Sequence, residues 1–402
     1  MNAASPWRNV AVLAACQALS MTGASITMTS SALVGQMLAA DKGLSTLPLA
    51  LQVSAAMLTT VPASLLMKRA GRRAGFSLGC ALGAAGGALC ALAIATAGFA
   101  LFCLGSALLG AALGCATFYR FAAADHGDER QRSRAMSLVL AGGVVAAIGG
   151  PELAKWSAGL MAPLTFAGCF VAIAVLNLAA LALVQALRLP ALARAERRQS
   201  GRPLSRIVRQ PAFVVAVGGA MVAYAVMTLV MTATPLAMLA CGFDFAATAF
   251  VIQWHALGMF APSFVTGHLI NRIGVRGVMA TGAALLLGCI AVDLSGVALS
   301  RFWAGLVLLG VGWNLLFLGA TALLMQACAA AERAKVQAFN DLLVFATSAA
   351  ASFASGAIHS RIGWPAVNLA VLPPVLLVLA GLLWLGRRPT AAMGVPAGPA
   401  VR

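Results

Sequence analysis

Long apolar runs alternate with short basic or polar connections along almost the whole chain, and twelve of the runs are of membrane-crossing length. At a helical rise of about 1.5 Å per residue, roughly 20 apolar residues cross about 30 Å of hydrocarbon. The expected cores are 10–35, 44–67, 75–97, 99–122, 135–154, 164–187, 211–236, 246–270, 278–298, 302–325, 338–358 and 364–385. These runs lack the charged outer face that a soluble helical bundle requires, so each reads as a spanning helix.

The pattern is used twice. Ser64-Leu65-Leu66-Met67-Lys68-Arg69-Ala70-Gly71-Arg72-Arg73 and Gly267-His268-Leu269-Ile270-Asn271-Arg272-Ile273-Gly274-Val275-Arg276 lie 203 positions apart, each between apolar runs. Glu129-Arg130 recurs at the same offset as Glu332-Arg333, with Arg132 matched by Lys335. Equal offsets at separate loops argue for a duplicated unit. The expected organisation is a six-helix half over 1–187, a basic linker over 188–209, a second six-helix half over 210–387 and a tail over 388–402. Gly71 and Gly274 suit tight turns, while Arg69, Arg72, Arg73, Arg272 and Arg276 can meet lipid phosphates or helix carbonyls. These are expected to be structural and gating residues, with simple anchoring as the alternative.

Composition strengthens the membrane reading: 61% of residues are apolar and 9% charged. With both termini cytoplasmic, Lys42, Lys155, Arg301 and Arg361 fall on the outer side and the other 23 of the 27 basic residues on the inner side. That asymmetry follows the positive-inside rule, so the formal charge of +17 is expected to face anionic lipid, not nucleic acid. The first apolar run reads as a spanning helix and not as a cleavable signal. Nine dispersed cysteines resemble buried apolar residues more than a disulfide framework. No catalytic constellation or nucleotide-binding loop is present, so an enzyme or ATP-driven pump is not expected. The chain is expected to work as a monomer.

Candidate chemistry concentrates in the seventh and eighth runs. Met227/Met231 and His255/Met259 each have i,i+4 spacing, which places each pair on one helix face. An antiparallel hairpin would turn them into a ladder of thioether and imidazole donors from vestibule to mid-membrane. Such soft, uncharged donors suit Cu(I) better than zinc, calcium or magnesium, so copper is the expected substrate, with a metal chaperone as a conceivable donor. Methionines packed beside a hydrogen-bonded histidine are the plainer alternative. In the first run, Ser20, Thr22, Ser25, Thr27, Thr29 and Ser30 mark a cavity face or intrahelical bonding, with Met21 and Met28 as further candidate ligands. Gly150-Pro151 in the fifth run predicts close helix contact and a bend. A rival reading places Trp254, Trp313, Asn314 and Phe317 in an aromatic, hydrogen-bonding pocket for a planar organic solute taken up or another small amphiphilic solute exported.

The layout and the two basic loops resemble the major facilitator superfamily, whose loop signature is Gly-x-x-x-Asp-Arg-x-Gly-Arg-Arg. Here Ser64 and Lys68 stand where that pattern has Gly and Asp, and Asn271 replaces the second Asp. The resemblance implies an all-α polytopic fold of two pseudo-symmetric six-helix bundles in a bacterial inner membrane. The Met-x-x-x-Met and His-x-x-x-Met pairs resemble the superfamily's copper-importing branch, which serves cbb3-type cytochrome oxidase assembly. That resemblance implies copper import through Met227, Met231, His255 and Met259. Related carriers associated with riboflavin uptake supply the alternative.

Overall fold

The computed structural model describes residues 6–123, 129–187, 202–329 and 332–387. The chain is all helical there. The first half comprises α1 (Pro6–Leu38), α2 (Leu47–Ala70), α3 (Arg72–Ala95), α4 (Phe99–Ala116), the short α5 (Tyr119–Ala123), α6 (Glu129–Ala158) and α7 (Ala167–Gln185). A one-turn helix, α8 (Leu204–Ile207), precedes α9 (Pro211–Ala240), α10 (Phe245–Phe260), α11 (Ser263–Leu294), α12 (Leu299–Gln326), α13 (Arg333–Ile362) and α14 (Trp364–Gly386). Eleven helical stretches among the described residues are long and apolar enough to cross a bilayer, and Phe245–Phe260 is a shorter apolar helix. Divided at Gly274, α11 supplies both the end of the eighth crossing and the ninth. The chain is therefore a polytopic membrane protein with twelve crossings, as its apolar runs predict.

Each interruption has a local cause. Gly71 ends α2 at φ 86°, ψ 158°, and Gly274 turns inside α11 at φ 76°, ψ 162°. Only glycine enters that region without penalty, so the two copies of the basic loop share one backbone solution, 203 residues apart. Between α10 and α11, Pro262 lacks an N–H and interrupts the helical ladder within the span. Asn314 of α12 repairs the break: its Nδ2 donates to the Met259 carbonyl and to Ser263 Oγ, both at 2.7 Å. Its Oδ1 accepts from Thr266 Oγ1 at 2.8 Å.

The halves pack by matching rules. In the first, α1 lies on α6, α4 on α2 and α3, and α3 on α7; in the second, α9 lies on α13, α12 on α10 and α11, and α11 on α14. A Cβ at Gly150 would lie 2.4 Å from Ser25 Cβ, so only glycine lets α6 approach α1 there. Pro151 follows inside α6. One apolar core draws its buried residues entirely from Ile207 onward, and two others belong to the first half, apart from Leu236 of α9.

The halves meet along two related seams, α2 with α13 and α6 with α10. Their hydrogen-bonded contact lies at the end opposite the basic loops. There Gly356 N donates to Thr46 Oγ1 at 3.1 Å, and Thr46 Oγ1 donates to the Phe353 carbonyl at 3.4 Å. Phe166 and Phe245 stack edge-on across the same end at 4.9 Å. Residues 29–35 of α1 and 226–238 of α9 are buried without a break. That end is closed.

At the basic-loop end, Arg73 donates through Nε and Nη2 to Gln185 Oε1 at 3.2 and 2.9 Å, tying α3 to α7. Arg276 Nη1 reaches the end of α14 beside Gly386, whereas Arg69 and Arg272 are exposed and Arg72 is half-buried. A clamp forms where the linker enters the second half. The Arg202 backbone N–H, Nε and Nη2 all donate to the Glu332 carboxylate at 2.8 Å, Ala329 N adds a bond at 3.0 Å, and Lys335 Nζ caps the Arg202 carbonyl. Donation from Arg202 chiefly, against the opposing effect of burial, holds the Glu332 carboxyl down to about 2. The corresponding Glu129, Arg130 and Arg132 side chains lie outside the described ones, as do linker residues 188–201 and the tail 388–402.

Two outcomes follow from these contacts. Glu332→Gln should lower the thermal midpoint in detergent by the equivalent of about 1–3 kcal/mol near neutral pH. Because the folded-state carboxyl is depressed, its contribution is complete above its ordinary value of 4.5 and fades as pH falls toward about 2. The gap between wild type and variant should therefore narrow between pH 5 and pH 3 in parallel melts. Asn314→Ala should cost about 2–3 kcal/mol by leaving the Met259 carbonyl without its donor, read from the same melts.

Candidate functional site

The expected Met/His ladder does not assemble as a hairpin. Helix α10 packs chiefly against α12 and α6, and α9 against α13, α12 and α14, so the two helices share little surface. His255 is 1% exposed, with Nδ1 3.0 Å from the Leu306 carbonyl of α12. A carbonyl only accepts, so Nδ1 carries the proton and donates. The backbone beside it is in tight contact: a Cβ at Gly310 would lie 2.4 Å from the His255 carbonyl oxygen. Gln52, 203 positions earlier, repeats this relation, with a Gly110 Cβ falling 2.0 Å from its carbonyl. His255 therefore sits at a helix crossing built twice into the fold. Met227, Met231 and Met259 are buried in the apolar core of the second half. The i,i+4 spacing correctly put each pair on one face; it carried no information about which helix that face meets.

Other candidates are also placed. On α1, Thr22, Thr27, Thr29 and Ser30 donate to carbonyls four residues back at 2.8–2.9 Å, which satisfies them within the helix. Met21 is half-buried, and Met28 packs against the core of the second half. Trp254 is 40% exposed, in edge contact with Phe250 and Trp303, and so lies on the outside of the bundle. Asn314 is fully engaged at the α10–α11 break. Glu152, which follows Pro151 on α6, pairs with Lys155 at 2.7 Å on a partly exposed turn.

What the structure does bring together is aromatic. Tyr224 of α9 meets Trp313 edge-on at 5.2 Å and Phe317 edge-on at 4.9 Å, while Trp313 and Phe317, one turn apart on α12, stack at 5.3 Å with 14° between planes. Counted from Pro211 and from Gln326, Tyr224 and Trp313 each lie about 20 Å from the basic-loop end, near the middle of the span. Tyr224 and Phe317 are half-buried and thus reachable, and Trp313 Nε1 has no hydrogen-bond partner among the described residues. Closer to the basic-loop end, the Arg120 guanidinium lies 4.8 Å over the Phe121 ring with Nε unpartnered. Asn340 Nδ2 donates to Asp341 Oδ1 at 3.1 Å. Arg120, from the first half, and Asp341, from the second, both lie within Coulombic range of Tyr224. Tyr224 was not among the sequence candidates; it is one of two tyrosines in the chain and lies on the same helix as Met227 and Met231, which was the available signal.

Residues 13–252 match the Major Facilitator Superfamily. The chain is 41% identical over 378 residues to the riboflavin transporter RfnT of Brucella anthropi, covering 94% of this chain and 95% of that one. It is 29% identical to the uncharacterized MFS-type transporter YdeG of Bacillus subtilis, with 94% and 91% covered. The crystal structure of a D-xylose–proton symporter superposes with a TM-score of 0.74 at 12% identity, covering 96% of this chain and 98% of that one, a likeness of fold alone.

These findings correct the copper reading. A relative matching nearly the whole chain is a riboflavin transporter, and among the described residues no group of three or more His, Cys, Asp or Glu side chains could hold a metal ion. Copper as substrate, a metal chaperone as donor, membership of the copper-importing branch and a part in cytochrome oxidase assembly all fall together. So does the metal-ligand role of Met227, Met231, His255 and Met259. The family reading stands on the matched length, the twelve crossings and the fold: the chain belongs to the Major Facilitator Superfamily.

Proposed function

We propose that this protein is a secondary transporter of riboflavin or a closely related planar heteroaromatic solute, working by alternating access in the bacterial inner membrane. The observation that carries the reading is the Tyr224–Trp313–Phe317 cluster at mid-depth between α9 and α12, in which Tyr224 and Phe317 are half-buried and Trp313 is buried. Flat, polarisable rings stack a flat, polarisable ligand, and each such contact contributes about 0.5–1.5 kcal/mol beyond area burial. The relative at 41% identity supports the same solute class. The basic loops face the cytoplasm by the positive-inside rule, so the conformation closed at Thr46 and Gly356 opens toward the cell interior.

Uptake of radiolabelled riboflavin by cells that cannot synthesise it tests this directly. Wild-type protein should raise accumulation well above vector, and Trp313→Ala and Phe317→Ala should each weaken apparent affinity by roughly three- to tenfold at equal membrane expression. Equal accumulation with and without the wild-type protein would sink the proposal.

A further inference from the structure

The aromatic cluster accounts for a ring system but for none of its polar edge. Three groups near its basic-loop side are polar, buried or half-buried, and incompletely paired: Arg120 Nε and Asn340 Oδ1 have no hydrogen-bond partner among the described residues, and Asp341 accepts only from its neighbour Asn340. Asp341 lies eight residues into α13 from Arg333, or about 12 Å from the basic-loop end, so it sits about 8 Å below Tyr224 along the membrane normal. That step is comparable to the long axis of a fused three-ring heterocycle lying along the membrane normal. Arg120 comes from the opposite half of the protein, so a ligand touching both would bridge the two bundles.

Their chemistry is complementary to one edge of a flavin. The pyrimidine-dione ring of an isoalloxazine presents a carbonyl, an imide N–H and a second carbonyl in a row. A guanidinium only donates and an ionised carboxylate only accepts. We propose that Arg120 and Asp341 form the specificity end of the site, Asp341 accepting from the imide N–H and Arg120 donating to an adjacent carbonyl oxygen. The ring lies between them and the Tyr224–Trp313–Phe317 cluster. The assignment rests on the proposed function and names the substrate class more narrowly: planar heteroaromatics with an unsubstituted cyclic imide.

The test compares riboflavin with 3-methylriboflavin, in which the imide proton is replaced by methyl, on full-length protein in lipid nanodiscs by quenching of flavin fluorescence. Wild type should bind riboflavin roughly tenfold more tightly than its methylated analogue. Asp341→Leu should bind the two alike, at about the affinity wild type shows for the analogue. Arg120→Gln should weaken both ligands roughly tenfold, with Arg120→Lys recovering most of the loss because it keeps a charged donor. A purely structural role for Asp341 would leave the discrimination intact. Wild type binding both flavins equally, Asp341→Leu still discriminating, or Arg120→Lys binding no better than Arg120→Gln would each overturn the assignment while leaving flavin transport standing. Wild type binding neither flavin would instead overturn the proposed function beneath it.

Discussion

Within hydrocarbon no water is available to satisfy a bare peptide group, and that constraint governs this molecule from its helix lengths to its aromatic cluster. It forces the chain into helices that bond internally, and it makes every interruption conditional on a local remedy. Gly71 and Gly274 turn near the basic-loop end, where headgroups and water are at hand. The Ala261–Pro262 break lies inside the span and depends on protein alone. Asn314 answers it, and in doing so fixes the rotation of α12 about its own axis. Adjacent helical positions point about 100° apart. With Asn314 turned toward the α10–α11 break, its neighbour Trp313, and Phe317 one turn on, point toward Tyr224 of α9. The repair of a backbone defect and the aim of the aromatic cluster are thus one geometric fact.

How much of this was legible in the sequence depended on the range of the physics involved. The spans were readable because hydrophobic length is a local property, and the twelve runs correspond to the crossings with ends shifted by a few residues. The equivalence of Gly71 and Gly274 was readable too, since a turn type is decided within a few residues. What failed was azimuth. Met227/Met231 and His255/Met259 do share faces, but sequence-adjacent helices were assumed to be packing partners. In this fold α10 lies mainly against α12 and α6, because each half interleaves its helices, and the face carrying His255 meets Leu306 of α12. Methionine then does what a flexible thioether does in most apolar cores, filling space. The aromatic alternative was half legible: Trp313 and Phe317 were recognised, Trp254 proved to face outward, and Tyr224 became visible only when α9 and α12 were brought together.

The duplicated architecture also bears on where the proposed site lies. The seams between halves, α2 with α13 and α6 with α10, are exchanged by the repeat, since α2 corresponds to α10 and α6 to α13. A pair of seams related in this way lets one end open as the other closes with little change inside either bundle. At the closed end the direct polar ties between halves are short-range and few among the described residues: Thr46 with Phe353 and Gly356, beside the Phe166–Phe245 edge contact. The cores of the two halves stay separate except where Leu236, Phe245 and Met28 cross over. Tyr224 and Trp313 lie near mid-depth, where rocking displaces side chains least, so a ring bound there as proposed would keep its stacking partners in both conformations. Arg120 and Asp341 stand on different halves and nearer the moving end, and the distance between them must change as the protein rocks. A ligand gripped by both would therefore hold the two halves together in one conformation more strongly than in the other. In the proposed site, binding energy would be converted into movement by that difference, since a ligand held equally well in both states shifts nothing.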